Sequence, residues 1–172
     1  MAEQLSQIEN IVSIDAHLDY QAIVIGAGVA GIYQIKRLAD LGVRATVLDG
    51  NPDLGGTWYN NRYPGARFDS ESYTYSYSFS KEVLDEWHWT EKFSPQPETL
   101  QYLNFVTDKF QLRQYMQFNC WVEAMVFDKD ANFWTVKLAD GRQLTTRFIV
   151  TGVGVLSTPT LPKLEGLESF KG

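Results

Sequence analysis

Three glycines and one aspartate are spaced as in a dinucleotide-binding site. Gly26, Gly28 and Gly31 form a G-x-G-x-x-G pattern directly after an apolar run. In such a pattern the first glycine permits a tight turn, the second lets a pyrophosphate approach the backbone, and the third lets a helix pack closely on a strand. Asp49 ends the next apolar run, where a carboxylate accepts hydrogen bonds from an adenosine ribose and disfavours the 2′-phosphate of NADP. The pattern predicts FAD or NAD; the alternative for Asp49 is a purely local role in its turn.

The stretch of residues 55–72, GGTWYNNRYPGARFDSES, could supply the walls of that site. Gly55 and Gly56 can bring the backbone close to a flat ring system, and Arg62 and Arg67 can place positive charge near phosphates or an anionic flavin. Three large aromatic side chains offer faces for stacking: Trp58, Tyr59 and Tyr63. A plain NAD-binding unit would continue with another helix at this point. The glycine-broken, aromatic loop therefore favours a flavin.

The elements around these residues predict an α/β fold. Residues 22–25 and 45–48 are apolar runs joined by a helical pattern that stops at Gly42, which is a parallel βαβ unit. Residues 73–79 alternate between aromatic and hydroxyl side chains and predict an extended segment. A helix is predicted at residues 97–110.

Three strand-like runs after residue 118 predict a small antiparallel meander. The last run, RFIVTGVG, is apolar enough to return to the main sheet as a buried parallel strand. The predicted fold is a Rossmann-like FAD-binding domain, a parallel sheet with a βαβ unit plus this meander. Its predicted organisation is a polar lead-in at residues 1–19, the domain at residues 20–155 and a proline-punctuated connector at residues 156–172.

Composition excludes several function classes. The chain of 172 residues has a formal net charge of −6 and no basic run, so neither nucleic acid nor an anionic membrane surface is an expected partner. Cys120 is the single cysteine, which excludes a disulfide framework and a Cys-type zinc site and favours a buried thiol in a reducing compartment. No run approaches the roughly 18 apolar residues of a membrane span. The sequence predicts a cytoplasmic protein without a metal site.

Four stretches carry a family resemblance: GAGVAG, GGTWYNNRYPGARFDSES, YSFSKEVLDEWHWTEKFSPQPETLQYLNFVTDKFQLR and GVGVLSTPTLPKLEGLESFKG. Together they resemble the amino-terminal segment of the flavin-dependent Baeyer–Villiger monooxygenases, nearest to the phenylacetone and cyclohexanone type. The resemblance implies FAD as cofactor, with NADPH and dioxygen as cosubstrates. It also implies that a ketone is converted to an ester or lactone through a C4a-peroxyflavin.

The resemblance also implies roles for single residues. The FAD pyrophosphate would lie at Gly26, Gly28, Ala30 and Gly31, the adenosine ribose at Asp49 and the adenine near Val122. The flavin would be lined by Gly56, Thr57, Trp58, Tyr59 and Asn60, with Tyr75 nearby, and would meet the nicotinamide at Arg67, Phe68 and Asp69. In the family, this aspartate pairs with an active-site arginine, which makes Asp69 the catalytic candidate. The alternative for Asp69 is a loop cap or a surface salt bridge with Arg67.

Two positions depart from the family pattern. Asn60 stands where a second tryptophan is common, and Phe68 stands where a small or sulfur-containing residue is frequent. These differences predict altered packing beside the flavin and a reshaped nicotinamide or substrate pocket, without loss of FAD binding.

Several parts of the resembled enzyme do not occur in this sequence. There is no second G-x-G-x-x-G, and the family fingerprint F-x-G-x-x-x-H-T-x-x-W begins only at Phe170. The NADPH unit and the catalytic arginine are therefore expected in the remainder of the enzyme or in a complementing chain, and this segment alone is expected to be inactive. Alternatives are a flavin monooxygenase that oxygenates nitrogen or sulfur, which the YPGARFDSES stretch disfavours, and a non-catalytic flavin-binding module.

Overall fold

The computed structural model describes residues 17–171. The strands are β1 (Tyr20–Ile25), β2 (Ala45–Leu48), β3 (Met116–Gln117), β4 (Val122–Asp128), β5 (Phe133–Leu138) and β6 (Gln143–Thr151). The helices are α1 (Val29–Asp40), α2 (Thr57–Asn60), α3 (Lys81–Glu86) and α4 (Gln96–Lys109), with short 3-10 turns at Ser72–Tyr75, Leu112–Tyr115 and Leu167–Ser169. The predicted lead-in lies outside the described residues for residues 1–16.

The strands form one mixed sheet in the order β3-β2-β1-β6-β5-β4. β1 pairs in parallel with β2 and β6, and β2 pairs in parallel with β3. β4, β5 and β6 are antiparallel neighbours. β6 belongs to both parts, because it pairs with β5 through residues 143–146 and with β1 through residues 146–151. The α/β fold with a βαβ unit and an antiparallel meander is confirmed.

The two long helices follow from their apolar spacing. Ile32 and Ile35 of α1 are fully buried, and the helix ends at Asp40, two residues before Gly42, whose φ of 68° lets the chain turn away from the helix. In α4 the buried side chains include Tyr102, Leu103 and Val106, with a proline in the first turn. The helix predicted at residues 97–110 is confirmed to within a residue.

The core has one cluster on each face of the sheet, because successive side chains of a strand point to opposite faces. Ala22 and Val24 of β1 pack with α1 and α4, whereas Ile23 packs with the meander. Cys120 belongs to the meander-side cluster with 3% of its surface exposed, so the predicted burial of this thiol is confirmed.

The prediction of an extended segment at residues 73–79 is wrong. The chain forms a 3-10 turn at Ser72–Tyr75, and its tyrosines do not share one face: Tyr73 is exposed whereas Tyr77 is buried. The cause is tertiary. The Ser72 hydroxyl donates to the carbonyl oxygen of Glu91, and the Tyr77 amide donates to the hydroxyl of Tyr102. Such bonds to distant residues outweigh a local period of two.

The prediction for the last strand is half right. β6 does return in parallel to β1, but it is not buried on both faces, because Phe148 is 64% exposed. In the part of the chain that the structure describes, the apolar side chain of Phe148 is therefore exposed to solvent.

Candidate dinucleotide site

The glycine turn lies where β1, β2 and β6 end together. The Gly26 amide donates to the carbonyl oxygen of Leu48 at 2.8 Å, and the Gly152 amide donates to that of Ile25 at 2.7 Å. Gly26 has a φ of +100°, and a Cβ there would lie 2.6 Å from the carbonyl oxygen of Gly152. A Cβ on Gly31 would lie 1.8 Å from the carbonyl oxygen of Gly26. The predicted turn and the predicted close helix packing are both present in the backbone.

Gly28 differs from its two neighbours in the pattern. Its φ is −81°, and a Cβ there would meet only the backbone of Gly56, its Cα at 3.6 Å and its nitrogen at 4.0 Å, which is ordinary contact. The fold itself therefore tolerates alanine at this position. Gly56 faces it with a φ of +54°, and the Gly55 amide donates to the carbonyl oxygen of Ala27 at 3.0 Å. The two glycine segments thus form a strip of backbone without side chains.

Asp49 connects β2 to the glycine turn. Its carboxylate is buried, and Oδ2 accepts a hydrogen bond from the Ala27 amide at 2.6 Å. Oδ1 accepts from the backbone amide and the side-chain amide of Asn51, at 2.8 and 2.9 Å. A carboxylate has about four acceptor positions, so one remains for a ribose hydroxyl while these three bonds persist. The local turn role of Asp49 is present, and it is compatible with the predicted ribose role.

The segment before β4 lies against this same strand end. The Cys120 amide donates to the carbonyl oxygen of Asp49 at 2.8 Å, and the Asn119 amide to that of Asn51 at 2.9 Å. Val122, predicted near the adenine, is half-buried as the first residue of β4. Trp121 was not predicted as a site residue, yet its exposed ring lies against Gly50. No local pattern signals this contact, because the two residues are 71 positions apart.

The aromatic loop is held together by three residues that the resemblance places in the flavin lining, near it, or where flavin and nicotinamide meet. Trp58 of α2 is buried and its Nε1 donates to the Tyr75 hydroxyl at 2.6 Å. The Phe68 and Tyr75 rings stack with centroids 4.6 Å apart and planes 5° from parallel. Burial raises the pKa of Tyr75, although the Trp58 bond opposes this. We call Trp58, Phe68 and Tyr75 the aromatic cluster.

The structure explains the Phe68 departure from the family pattern. The ring fills interior space, with 5% of its surface exposed, and packs edge-on against Trp58 and Trp89. The other predicted flavin-lining residues of α2 are more accessible: Thr57 and Tyr59 are half-buried and Asn60 is exposed. The guanidinium of Arg62 lies 4.5 Å from the centroid of the Tyr59 ring.

Arg67 and Asp69 do not pair with each other. Arg67 donates from Nη1 to Glu91 Oε2 and to the carbonyl oxygen of Phe93, each at 3.0 Å. Asp69 is exposed, and its carboxylate makes no ion pair or side-chain hydrogen bond within residues 17–171. The surface salt bridge considered as the alternative for Asp69 is therefore wrong.

Gln96, at the start of α4, holds this loop and was missed by the sequence reasoning. Its backbone amide donates to the carbonyl oxygen of Ala66 at 2.8 Å, and its side-chain Nε2 donates to the carbonyl oxygen of Trp58. A glutamine between two prolines gives no local signal of such a role.

The helices between residues 17 and 171 include none with both the length and the apolar character needed to cross a membrane.

Comparisons with known proteins agree with this arrangement. A family model described as an NAD(P)-binding Rossmann-like domain matches residues 24–103. A Baeyer-Villiger monooxygenase of Pseudooceanicola batsensis is 40% identical over 167 residues, which are 96% of this chain and 30% of that protein. A phenazine N-monooxygenase of Lysobacter antibioticus is 42% identical over 154 residues, 89% of this chain and 28% of that protein. The crystal structure of the OTEMO complex with FAD and NADP aligns with a TM-score of 0.83 and 41% identity, over 90% of this chain and 29% of that one.

The resemblance to the amino-terminal segment of Baeyer–Villiger monooxygenases is confirmed. The chain spans 28% to 30% of the length of these curated relatives.

Proposed function

We propose that this chain supplies the FAD-binding part of a monooxygenase of the Baeyer–Villiger type, which uses NADPH and dioxygen to convert a ketone to an ester or lactone. The observation that carries the proposal is the backbone strip formed by Gly28 and Gly56 beside the Asp49 carboxylate. The fold does not require glycine at position 28, so a ligand that would touch a Cβ there accounts for its absence.

The residues present fit FAD. The first amides of α1 have no partners inside the helix, and they lie at the positive end of its dipole, where a pyrophosphate is stabilised. We assign the pyrophosphate to Gly26, Gly28, Ala30 and Gly31, the ribose to Asp49 and the adenine to the neighbourhood of Val122. We assign the flavin ring to Gly56, Thr57, Trp58, Tyr59 and Asn60, with Tyr75 behind Trp58. When bound, FAD would supply the redox chemistry that activates dioxygen.

The chain's own contribution to the reaction is positional. The aromatic cluster excludes water from one side of the proposed flavin position, because Trp58 and Phe68 are buried and the indole nitrogen of Trp58 donates to the Tyr75 hydroxyl. Arg67, Phe68 and Asp69 would face the nicotinamide. The Asp69 carboxylate, which has no ion-pair partner among residues 17–171, is available to orient an arginine supplied from outside this segment, and such a fixed charge pair stabilises developing negative charge.

The remaining assignments concern parts beyond this segment. We propose residues 20–155 as the FAD-binding domain and residues 156–172 as the connector to an NADPH-binding unit. Both the NADPH-binding unit and the ketone site would belong to the remaining polypeptide or to a complementing chain. Residues 156–171 are exposed and contain no strand, as a connector would. We propose the cytoplasm as its location, because the free thiol of Cys120 is buried, as is usual in a reducing compartment.

Two measurements test the proposal, one on the purified protein and one on the complete enzyme. We expect flavin absorbance, present on isolation or after loading with FAD; a protein that cannot be loaded would overturn the proposal. In the complete enzyme, Asp69→Ala should abolish ester formation while FAD remains bound, because this exposed side chain makes no ion pair or side-chain hydrogen bond within residues 17–171. Retained oxygenation would remove Asp69 from the mechanism.

A second candidate function is oxygenation of nitrogen, because a phenazine N-monooxygenase is 42% identical to this chain. Both reactions would use the same FAD cradle. Product analysis with a simple cyclic ketone and with an aromatic nitrogen heterocycle separates them: ester or lactone supports the first candidate, and an N-oxide alone supports the second.

A further inference from the structure

We infer that Trp121 stacks on the adenine of bound FAD and makes the site select FAD over FMN. The inference rests on the proposed function, since it concerns how the same site holds the distal end of the cofactor. No part of the predicted residue set includes Trp121.

The indole of Trp121 fits in its position because residue 50 is a glycine and has no side chain. A Cβ on Gly50 would lie 2.5 Å from Cε3 of Trp121 and 3.2 Å from Cζ3. The ring therefore occupies space that any other residue at position 50 would fill. Although it covers this backbone, Trp121 remains 67% exposed, which leaves a large aromatic surface available to a ligand.

The backbone on both sides of Trp121 is fixed. The Cys120 amide is bonded to Asp49, and the carbonyl oxygen of Trp121 accepts from the Ala139 amide at 2.9 Å. Val122 is paired with Leu138 in the meander. The indole is therefore held at the end of β2 before any ligand arrives, and binding would cost little ordering of the chain.

The covalent bond between the adenine and the ribose of FAD places the adenine near this surface. Gly50 follows Asp49, and the Asp49 carboxylate has the remaining acceptor position that the ribose would use. Adenine is bonded directly to that ribose, so a ribose at Asp49 places the base within reach of a side chain lying on Gly50. Stacking of a base on an indole tolerates small shifts in position, because both surfaces are flat.

The experiment compares two flavins in two variants of the purified protein. Trp121→Ala should weaken FAD binding about tenfold or more, the effect of losing one base–aromatic stack, and should leave FMN binding unchanged because FMN has no adenine. Dissociation constants are read from flavin fluorescence during titration, independently of activity. Where FMN binds too weakly to measure, ADP serves as a probe of the adenine half: its affinity is read from the displacement of bound FAD and should fall by the same factor as that of FAD.

Phe127→Ala is the matched control, since it removes an aromatic side chain at the far end of β4. We expect it to change neither affinity, and we expect Trp121→Phe to retain most of the FAD affinity. Unchanged FAD binding in Trp121→Ala, or equal losses for FAD and FMN, would overturn the role of Trp121 and leave the proposed function intact. A parent protein that binds no flavin would overturn the proposed function itself, and the inference with it.

Discussion

The glycine turn at residues 26–31 and the aromatic cluster both belong to the candidate site, but they are held by different means. The turn is built from backbone: Gly31 lets α1 approach the carbonyl oxygen of Gly26 so closely that no Cβ fits between them. The cluster is built from side chains, with Phe68 stacked on Tyr75 and Trp58 bonded to it. A clash with backbone is relieved only when the two elements separate, whereas a ring that is removed leaves a cavity that its neighbours can partly fill.

This difference matters for function. At one position of the turn, Gly28, the fold accepts a side chain, whereas a bound cofactor would clash with it. The cluster offers no such separation, because Trp58 and Phe68 are buried and every change to them also changes stability. Substitutions can therefore divide folding from binding in the turn but not in the cluster.

The largest expected effect comes from Gly31→Ala. The new Cβ would overlap the carbonyl oxygen of Gly26, so we expect α1 to separate from β1 and the free energy of unfolding to fall by about 3 kcal/mol or more. Gly28→Ala is the matched variant, for which we expect normal stability and loss of FAD binding. Urea unfolding measures the first quantity and flavin titration the second. Equal stability of the two variants would contradict the division between folding and binding.

A smaller effect is expected from Phe68→Ala in the aromatic cluster. Removing this buried ring should lower the free energy of unfolding by about 3 kcal/mol or somewhat less, because it leaves a cavity beside Tyr75 and Trp89 that neighbouring rings can partly fill. Phe93→Ala, at a half-exposed ring of the same region, should cost less than about 1 kcal/mol. Chemical denaturation of both variants checks this. A loss below that of the control would mean that the cluster does not support the loop.

The smallest expected effect is a loss of folding stability at alkaline pH, caused by buried tyrosines of the aromatic region. Burial raises the pKa of Tyr77 well above its ordinary value of 10.0, and it raises those of Tyr75 and Tyr102 as well. Well below pH 10 these groups are neutral in both the folded and the unfolded chain, so they do not affect the pH dependence of stability. As the pH rises further, only the unfolded chain ionises, and stability falls.

The slope for each tyrosine is about 1.4 kcal/mol per pH unit at most. Urea unfolding between pH 8 and about 11 should therefore show a smaller decline for Tyr77→Phe than for the parent protein. Parallel curves for the two proteins would mean that Tyr77 ionises as readily in the folded chain as in the unfolded one.

The two regions also differ in how far the sequence predicts them. The turn was predictable because its determinants lie within a few residues: a strand, three glycines at fixed spacing and a helical apolar stripe. The position of Asp49 at the end of the next strand was predictable for the same reason. The meander and α4 follow equally local patterns and are predicted correctly, except that β6 is not buried on both faces.

The aromatic region was predicted less well because its determinants are distant in sequence. The alternating tyrosines suggested a strand, but bonds from Ser72 to Glu91 and from Tyr77 to Tyr102 fix a turn instead. The partner of Arg67 is Glu91 rather than the nearby Asp69. Trp121 and Gln96 gave no signal at all, since each contacts residues far along the chain.

The central claim is that the backbone strip at Gly28 and Gly56 receives FAD. The most direct test is equilibrium titration of the parent protein and of Gly28→Ala with FAD. The two proteins are first shown to have the same free energy of unfolding. We predict saturable binding by the parent, with a flavin absorbance spectrum, and binding weakened at least about a hundredfold in the variant, because the methyl group would occupy the place of the pyrophosphate. Equal affinity of two equally stable proteins would contradict the claim.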